Sequence, residues 1–206
     1  MPRALSITLL SLVIFTSILI ALHAFGFQLR VSGDPVFHAR FDTMPVASAM
    51  HVIGGGIVLA IGGFQFSSRL RQNYLNLHRN MGRAYLILVA VGGVGALILA
   101  PSADGGLVGR FGFFLLGVAW LFSGWQAYAA VRRGDIQSHK AWMLRNFAMT
   151  FGAVTLRIYL GLFAVAGVPF EESYPVVAWL AWVPNLIIVE WTMVLTEQSR
   201  KTAKLV

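Results

Sequence analysis

"GFQFSSRLRQNYLNLHR", residues 63–79, places three arginines and a histidine between two long apolar stretches. A helix needs about 20 apolar residues to cross the hydrocarbon layer of a bilayer. The stretches on either side, 46–66 and 84–102, reach or approach that length. The same arrangement recurs at 124–140, "GWQAYAAVRRGDIQSHK", between apolar stretches 111–131 and 146–167. Adding 5–27 and 175–196 gives six spans. The chain therefore reads as an all-α polytopic transmembrane helix bundle, a single integral membrane domain over residues 1–206. A 57% hydrophobic and 12% charged composition leaves no room for a soluble domain. The first span is too long for a cleaved signal peptide and lacks a small-x-small site, so it is expected to be retained.

Short loops rich in Lys and Arg stay on the cytoplasmic side of a membrane. Of the 16 basic residues, twelve fall on one side, among them Arg69, Arg71, Arg79, Arg83, Arg132, Arg133, Lys140 and Arg145, with Arg3, Arg200, Lys201 and Lys204 near the termini. Arg30, Arg40 and Arg110 fall on the other side, and Arg157 within a span. Both termini are expected on the cytoplasmic side. The net charge of +8 is then a topology signal and gives no reason to expect nucleic-acid binding. The absence of cysteine excludes disulfides, iron–sulfur clusters and thiolate metal sites.

The two quoted stretches align at an offset of 61 residues: Gly63 with Gly124, Gln65 with Gln126, Arg71 with Arg132, His78 with His139 and Arg79 with Lys140. Such an offset suggests a duplicated helix hairpin, with spans two to five forming a four-helix core. His78 and His139 would then stand at equivalent depth near its cytoplasmic end.

Ionisable groups inside a bilayer are costly and mark candidate sites. One reading is a b-type haem electron-transfer protein, with His78 and His139 as haem-iron ligands at the inner end and His23 with His51 at the outer. Arg79, Arg83, Lys140 and Arg145 would hold propionates, and glycines on the helix faces would admit the macrocycle. The layout is similar to that of the cytochrome b561 group in architecture. Against it, His78 and His139 precede the apolar runs, and span two carries Gln65 where a second histidine would be wanted.

The sequence leaves two other readings open. A small transporter or channel would line a polar path with Arg157, Glu190, Gln65 and Gln126, although no broken-helix pair is evident. A non-catalytic, lipid-interacting protein would use the histidines as helix caps, the basic residues to bind lipid phosphates, and Trp142, Tyr74 and Tyr85 as interfacial aromatics. The partners to expect are the bilayer itself and an anionic lipid, a quinone or a redox partner. No Ser-His-Asp or paired-carboxylate spacing within the spans points to hydrolysis.

The glycines at 54–56, 62–63 and 92–95 read as close helix packing. Pro184 is expected to kink span six and free a carbonyl that needs a partner. Arg157 and Glu190 are expected to pair across an axial gap of ~8 Å. The segment 28–45 reads as a solvated loop, or a lid over the outer site.

The stretches "MHVIGGGIVLAIGGFQF", "LHRNMGRAY", "HKAWMLRNFAMTFGAVTLR" and "WVPNLIIVEW" together resemble the bacterial predicted membrane protein family called domain-of-unknown-function 2306, from about residue 45 to 195. The resemblance implies a polytopic inner-membrane protein and carries no activity. His51, Gln65, His78, Arg79, Gly82, Arg83, His139, Trp142, Met143, Arg145, Arg157 and Glu190 match its pattern.

Overall fold

The computed structural model describes residues 3–202, with side chains described from residue 7 to 198. Lys204 and the side chains of Arg3, Arg200 and Lys201, which entered the topology reading, lie outside the described residues. Among the described residues the chain is helical and without strands. The helices are α1 (Arg3–Gln28), α2 (Pro35–Asp42), α3 (Pro45–Gly62), α4 (Ser68–Asn73), α5 (Leu75–Leu99), α6 (Gly106–Arg132), α7 (Ile136–Thr150), α8 (Gly152–Val165), α9 (Phe170–Leu180) and α10 (Val183–Thr202). Six segments are long and apolar enough to cross a membrane: Ile7–Gln28, Pro45–Phe66, Leu75–Ser102, Gly106–Arg132, Ile136–Val165 and Phe170–Gln198.

Spans three and five begin nine and ten residues earlier than the apolar stretches at 84 and 146 suggest. Hydropathy follows side chains, whereas the helix follows backbone hydrogen bonds and its cap. At α7 the cap is Asp135, whose carboxylate accepts from the Ser138 backbone N–H at 2.9 Å. His78 and His139 are thereby the fourth residues of α5 and α7, inside the helices. Their backbone N–H groups donate to Tyr74 and Asp135 respectively, each at 3.0 Å, so the two hairpins place them alike.

Spans two to five form the core: α3 packs on α5, α5 on α6, α6 on α7, and α7 returns to α3. Span one lies outside against α3, while α9 packs on α6 and α8, and α10 on α7. Glycines permit the closest approach, between α3 and α5. A Cβ on Gly95 would stand 2.6 Å from the Ala47 carbonyl oxygen, closer than real Cβ atoms come. Any side chain there would force the helices apart.

The solvent is inverted relative to a water-soluble fold. Phe15, Ile87 and Trp191 are 65%, 63% and 71% exposed, whereas Tyr85 and Asn146 are fully buried. Tyr85, expected as an interfacial aromatic, belongs instead to a polar ring in the core. Its hydroxyl donates to Asn146 Oδ1 at 2.8 Å and lies 3.0 Å from Thr150 Oγ1, which accepts from Trp120 Nε1 at 2.9 Å. The Asn146 amide closes the ring on the Trp120 carbonyl and Ser123 Oγ, both at 2.8 Å. Spans three, four and five are joined by these bonds.

Spans five and six are each broken: span six is interrupted beside Pro184, where a kink was expected, and span five at a place the sequence did not announce. The breaks fall at Phe151 and at Ala181–Trp182 and face each other, since a Cβ on Gly152 would lie 3.2 Å from the Ala181 carbonyl. Pro184 has no N–H to offer the preceding turn. That turn ends in the Leu180 carbonyl, four residues before Pro184; the next carbonyl, of Ala181, accepts from the Thr155 hydroxyl and from Asn185 Nδ2 at 3.0 Å. The expected loop 28–45 contains α2, because Asp34 caps it through Val36 N–H at 2.7 Å and Pro35 suits a first turn. Phe37 of α2 meets Phe170 and Tyr174 of α9, with ring centroids at 5.8 and 6.2 Å, and Arg40 pairs with Asp104.

Asn146→Leu should remove one hydrogen bond each from the Tyr85 hydroxyl, the Trp120 carbonyl and Ser123 Oγ, leaving only the Tyr85–Thr150, Trp120–Thr150 and Ser123–Trp120 bonds of the ring. A buried hydrogen bond contributes about 0.5–1.5 kcal/mol, so the loss of three should bring thermal unfolding in detergent below wild type. Lipid-facing Ile87→Leu should leave the midpoint in place; equal midpoints for both variants would contradict the role of the ring.

Candidate functional site

The loop between spans two and three and that between spans four and five lie at the same end of the core, here termed the basic end. Span two finishes there as a 3-10 turn, Gly63–Phe66, which buries the Gln65 side chain. Gln65 reaches across to α5: its Oε1 would lie 3.8 Å from a Cβ on Gly82. Gly82 follows His78 by four residues and so shares its face of α5. Gln65 Nε2 and His78 Nδ1 are both buried with no hydrogen-bond partner. Arg71 bends back to donate to the Gln65 carbonyl at 3.1 Å. His78 is close enough to Arg71 and Arg79 for their charges to act on it, and His139 is a near neighbour.

His139 is held differently from its counterpart. Its Nδ1 lies 2.9 Å from the Ala127 carbonyl, which can only accept, so Nδ1 carries the proton and Nε2 of the neutral ring keeps its lone pair. The repeat is thus unequal in detail: Gln126 lies half-buried within the continuous α6, while Gln65 occupies the 3-10 turn. Arg79, Arg83 and Lys140 are exposed, and Arg83 donates to Asn80 of its own helix at 3.1 Å.

Most of the glycine faces wanted for a macrocycle are occupied. A Cβ on Gly62 would meet Phe147 at 2.6 Å and Tyr85 at 2.9 Å, and one on Gly54 would lie 3.4 Å from the Gly92 backbone, whereas one on Gly55 would meet nothing within 4 Å. Gly54 and Gly62 serve helix packing. Among the described residues no group of three or more His, Asp or Glu gathers as a metal site.

At the opposite end His51 Nδ1 lies 3.3 Å from the Gly92 carbonyl. The charge of Arg157 acts on both His51 and His23. The expected Arg157–Glu190 pair does not form. Glu190 instead accepts twice from Arg145, at 2.5 Å from Nε and 2.9 Å from Nη2. Arg145 also lies over the Trp142 ring, 4.7 Å from its centroid. Counting from the apolar run at 146 misjudged which arginine shares Glu190's level, because span five begins at Ile136 and so carries Arg145 about 14 Å in, beside Glu190 about 12 Å from Gln198. Arg157 donates only to its own helix, to the Ala153 carbonyl at 2.8 Å, and has no carboxylate partner among the described residues.

The family model described as predicted membrane protein, DUF2306, matches residues 48–193. The chain belongs to this family. No curated protein and no solved structure matches it. The family's matched stretch contains every candidate residue except His23. It also contains the buried ring of Tyr85, Trp120, Ser123, Asn146 and Thr150, which the sequence reading missed. Its available signal was Asn146 and Thr150 four apart in an apolar run, with Trp120 and Ser123 three apart in another, each pair on one helix face.

The Arg145–Glu190 pair should act as a structural clamp between α7 and α10. Arg145→Leu or Glu190→Leu alone strands a charge, and each should reduce folded protein on size-exclusion chromatography in detergent. The combined Leu/Leu variant should recover most of the loss. A double variant no better than the worse single one would count against the clamp.

Proposed function

We propose that this is an inner-membrane protein of bacteria, with both termini in the cytoplasm, whose four-helix core binds a small ligand at its cytoplasmic end. The ligand presents hydrogen-bond acceptors, as a lipid phosphate, a quinone carbonyl or a haem propionate does. The observation that carries this reading is the pair of buried, unpartnered atoms, Gln65 Nε2 and His78 Nδ1, against neighbouring turns of one helix face. A buried polar atom without a partner is rare and costly, and a bound ligand is a ready source of one. Gln65 Nε2 can only donate, and Arg71 and Arg79 bring positive charge to the same place. The lone pair that the Ala127 carbonyl leaves on His139 Nε2 favours haem b as a second reading of the same site.

Orientation rests on the positive charge of the loops at 67–74 and 133–135 and of the helix starts that follow them. Reporter fusions after Ser138 should report cytoplasm, and fusions near Asp104 the periplasm. A periplasmic signal after Ser138 would reverse the assignment of both ends.

Native mass spectrometry of the protein in mild detergent tests the ligand. Wild type should retain a small-molecule adduct whose mass distinguishes lipid, quinone and haem, and Gln65→Leu should lose it. A reduced-minus-oxidised absorption spectrum with a b-type α band would select haem. Wild type with no adduct, or Gln65→Leu carrying the same one, would overturn the reading.

A further inference from the structure

Arg157 lies eight residues from the end of α8 at Val165, about 12 Å along the helix axis. His51 is six residues from the start of α3 and His23 five from the end of α1, about 9 and 8 Å deep from the same side. These three spans pack together, α1 against both α3 and α8. The guanidinium is therefore placed well inside the half of the bundle opposite the basic end. Its one hydrogen bond, to Ala153, leaves most of its donors unused and its charge unmet. Every other arginine for which the structure gives an ion pair has a carboxylate: Arg30 with Asp42, Arg40 with Asp104 and Arg145 with Glu190.

Room exists beside it. Gly161 is one turn from Arg157 on the same face of α8, towards the membrane surface, and a Cβ there would meet no atom within 4 Å. Gly55 is one turn from His51 on α3, and a Cβ there would meet none either. Most other helical glycines of this bundle are filled against a neighbour, as Gly62 and Gly95 are. Directly towards the surface the route is covered, because Tyr174 packs among Phe37, Phe113 and Phe170 below the Arg40–Asp104 pair. The open glycine face of α8 leads along the helix flank, where Ile158 and Leu162 are exposed to the apolar phase.

We propose that Arg157 is the counter-charge for the anionic head group of a membrane amphiphile, a carboxylate or a phosphate, whose apolar chain leaves the bundle along the Gly161 face of α8. Fixed positive charge with unused donors selects an anion with acceptor oxygens. Burial away from water selects one that arrives from the bilayer. His51 keeps Nε2 free to bond the head group, since its Nδ1 faces the Gly92 carbonyl. This site is at the opposite end of the core from Gln65 and His78 and stands independently of the ligand proposed there.

The test is native mass spectrometry of the full chain in mild detergent, titrated separately with oleate and with dioleoylphosphatidylglycerol. Wild type and Arg157→Lys should each retain one copy of at least one amphiphile, and Arg157→Gln should bind it at least about tenfold more weakly. Retention of oleate alone identifies a carboxylate ligand; retention of the glycerophospholipid alone identifies a phosphate; retention of both means that charge is read without regard to head-group shape. Gly161→Phe, which fills the open face without touching the charge, should fold and also weaken binding. No retention by wild type, or equal retention by wild type and Arg157→Gln, overturns the proposal. Should Arg157→Gln fail to fold, undiminished binding by Gly161→Phe would overturn it instead.

Discussion

In a bilayer the hydrophobic effect no longer distinguishes a helix packed on protein from one facing lipid, so association depends on contact between backbones and on hydrogen bonds across helices. The ring through Tyr85, Asn146, Thr150 and Trp120 supplies the second of these in the core. Individual bonds of this kind are modest, averaging about 0.6 kcal/mol in double-mutant cycles. Their weight here comes from closure. Asn146 uses both amide protons and its carbonyl oxygen, so no member of the ring can move without leaving another unmet. That fixes the heights of spans three, four and five, and with them the level at which His78, His139 and Arg145 emerge.

Close packing of α3 on α5 then sets what the two ends can do. Gly54 and Gly95 are consumed in bringing these helices together, so the four-helix core is dense through its middle. Space and unmet polarity remain away from that seam, where span two turns out as a 3-10 segment at Gln65 and where α1, α3 and α8 meet near Arg157, and at Ser17 Oγ in span one. A dense centre with two separate polar ends suits binding at each end better than a continuous path between them. That weakens a transporter or channel reading even though spans five and six are broken.

The six spans, the basic loops and the equivalence of His78 with His139 were legible in the sequence, because hydropathy, charge and a 61-residue offset are one-dimensional signals. The family resemblance was legible from "LHRNMGRAY" and "HKAWMLRNFAMTFGAVTLR" for the same reason. What was not legible required knowing which helices touch. Glu190 has two arginines within plausible axial reach, and the start of span five at Ile136, ahead of its apolar run, brings Arg145 to its level. Tyr85 follows basic residues in sequence and so resembles an interfacial aromatic, yet the early start of α5 carries it a turn and more into the core.

The structural charges and the candidate functional ones separate by whether they are matched. Arg145 is answered by Glu190 and by the Trp142 ring, and Arg40 by Asp104; each joins two segments that are distant in sequence. Such pairs need nothing from outside the chain. Gln65 Nε2 and His78 Nδ1 differ in that the fold has buried them without a partner, and Arg157 in that its one bond, to Ala153, brings no counter-charge. Leaving a donor or a charge unmet inside a membrane protein opposes folding, and an apolar residue of similar size at each position would remove that cost. A chain that keeps all three, near its two separate polar ends, is built as though the missing partners arrive after it has folded.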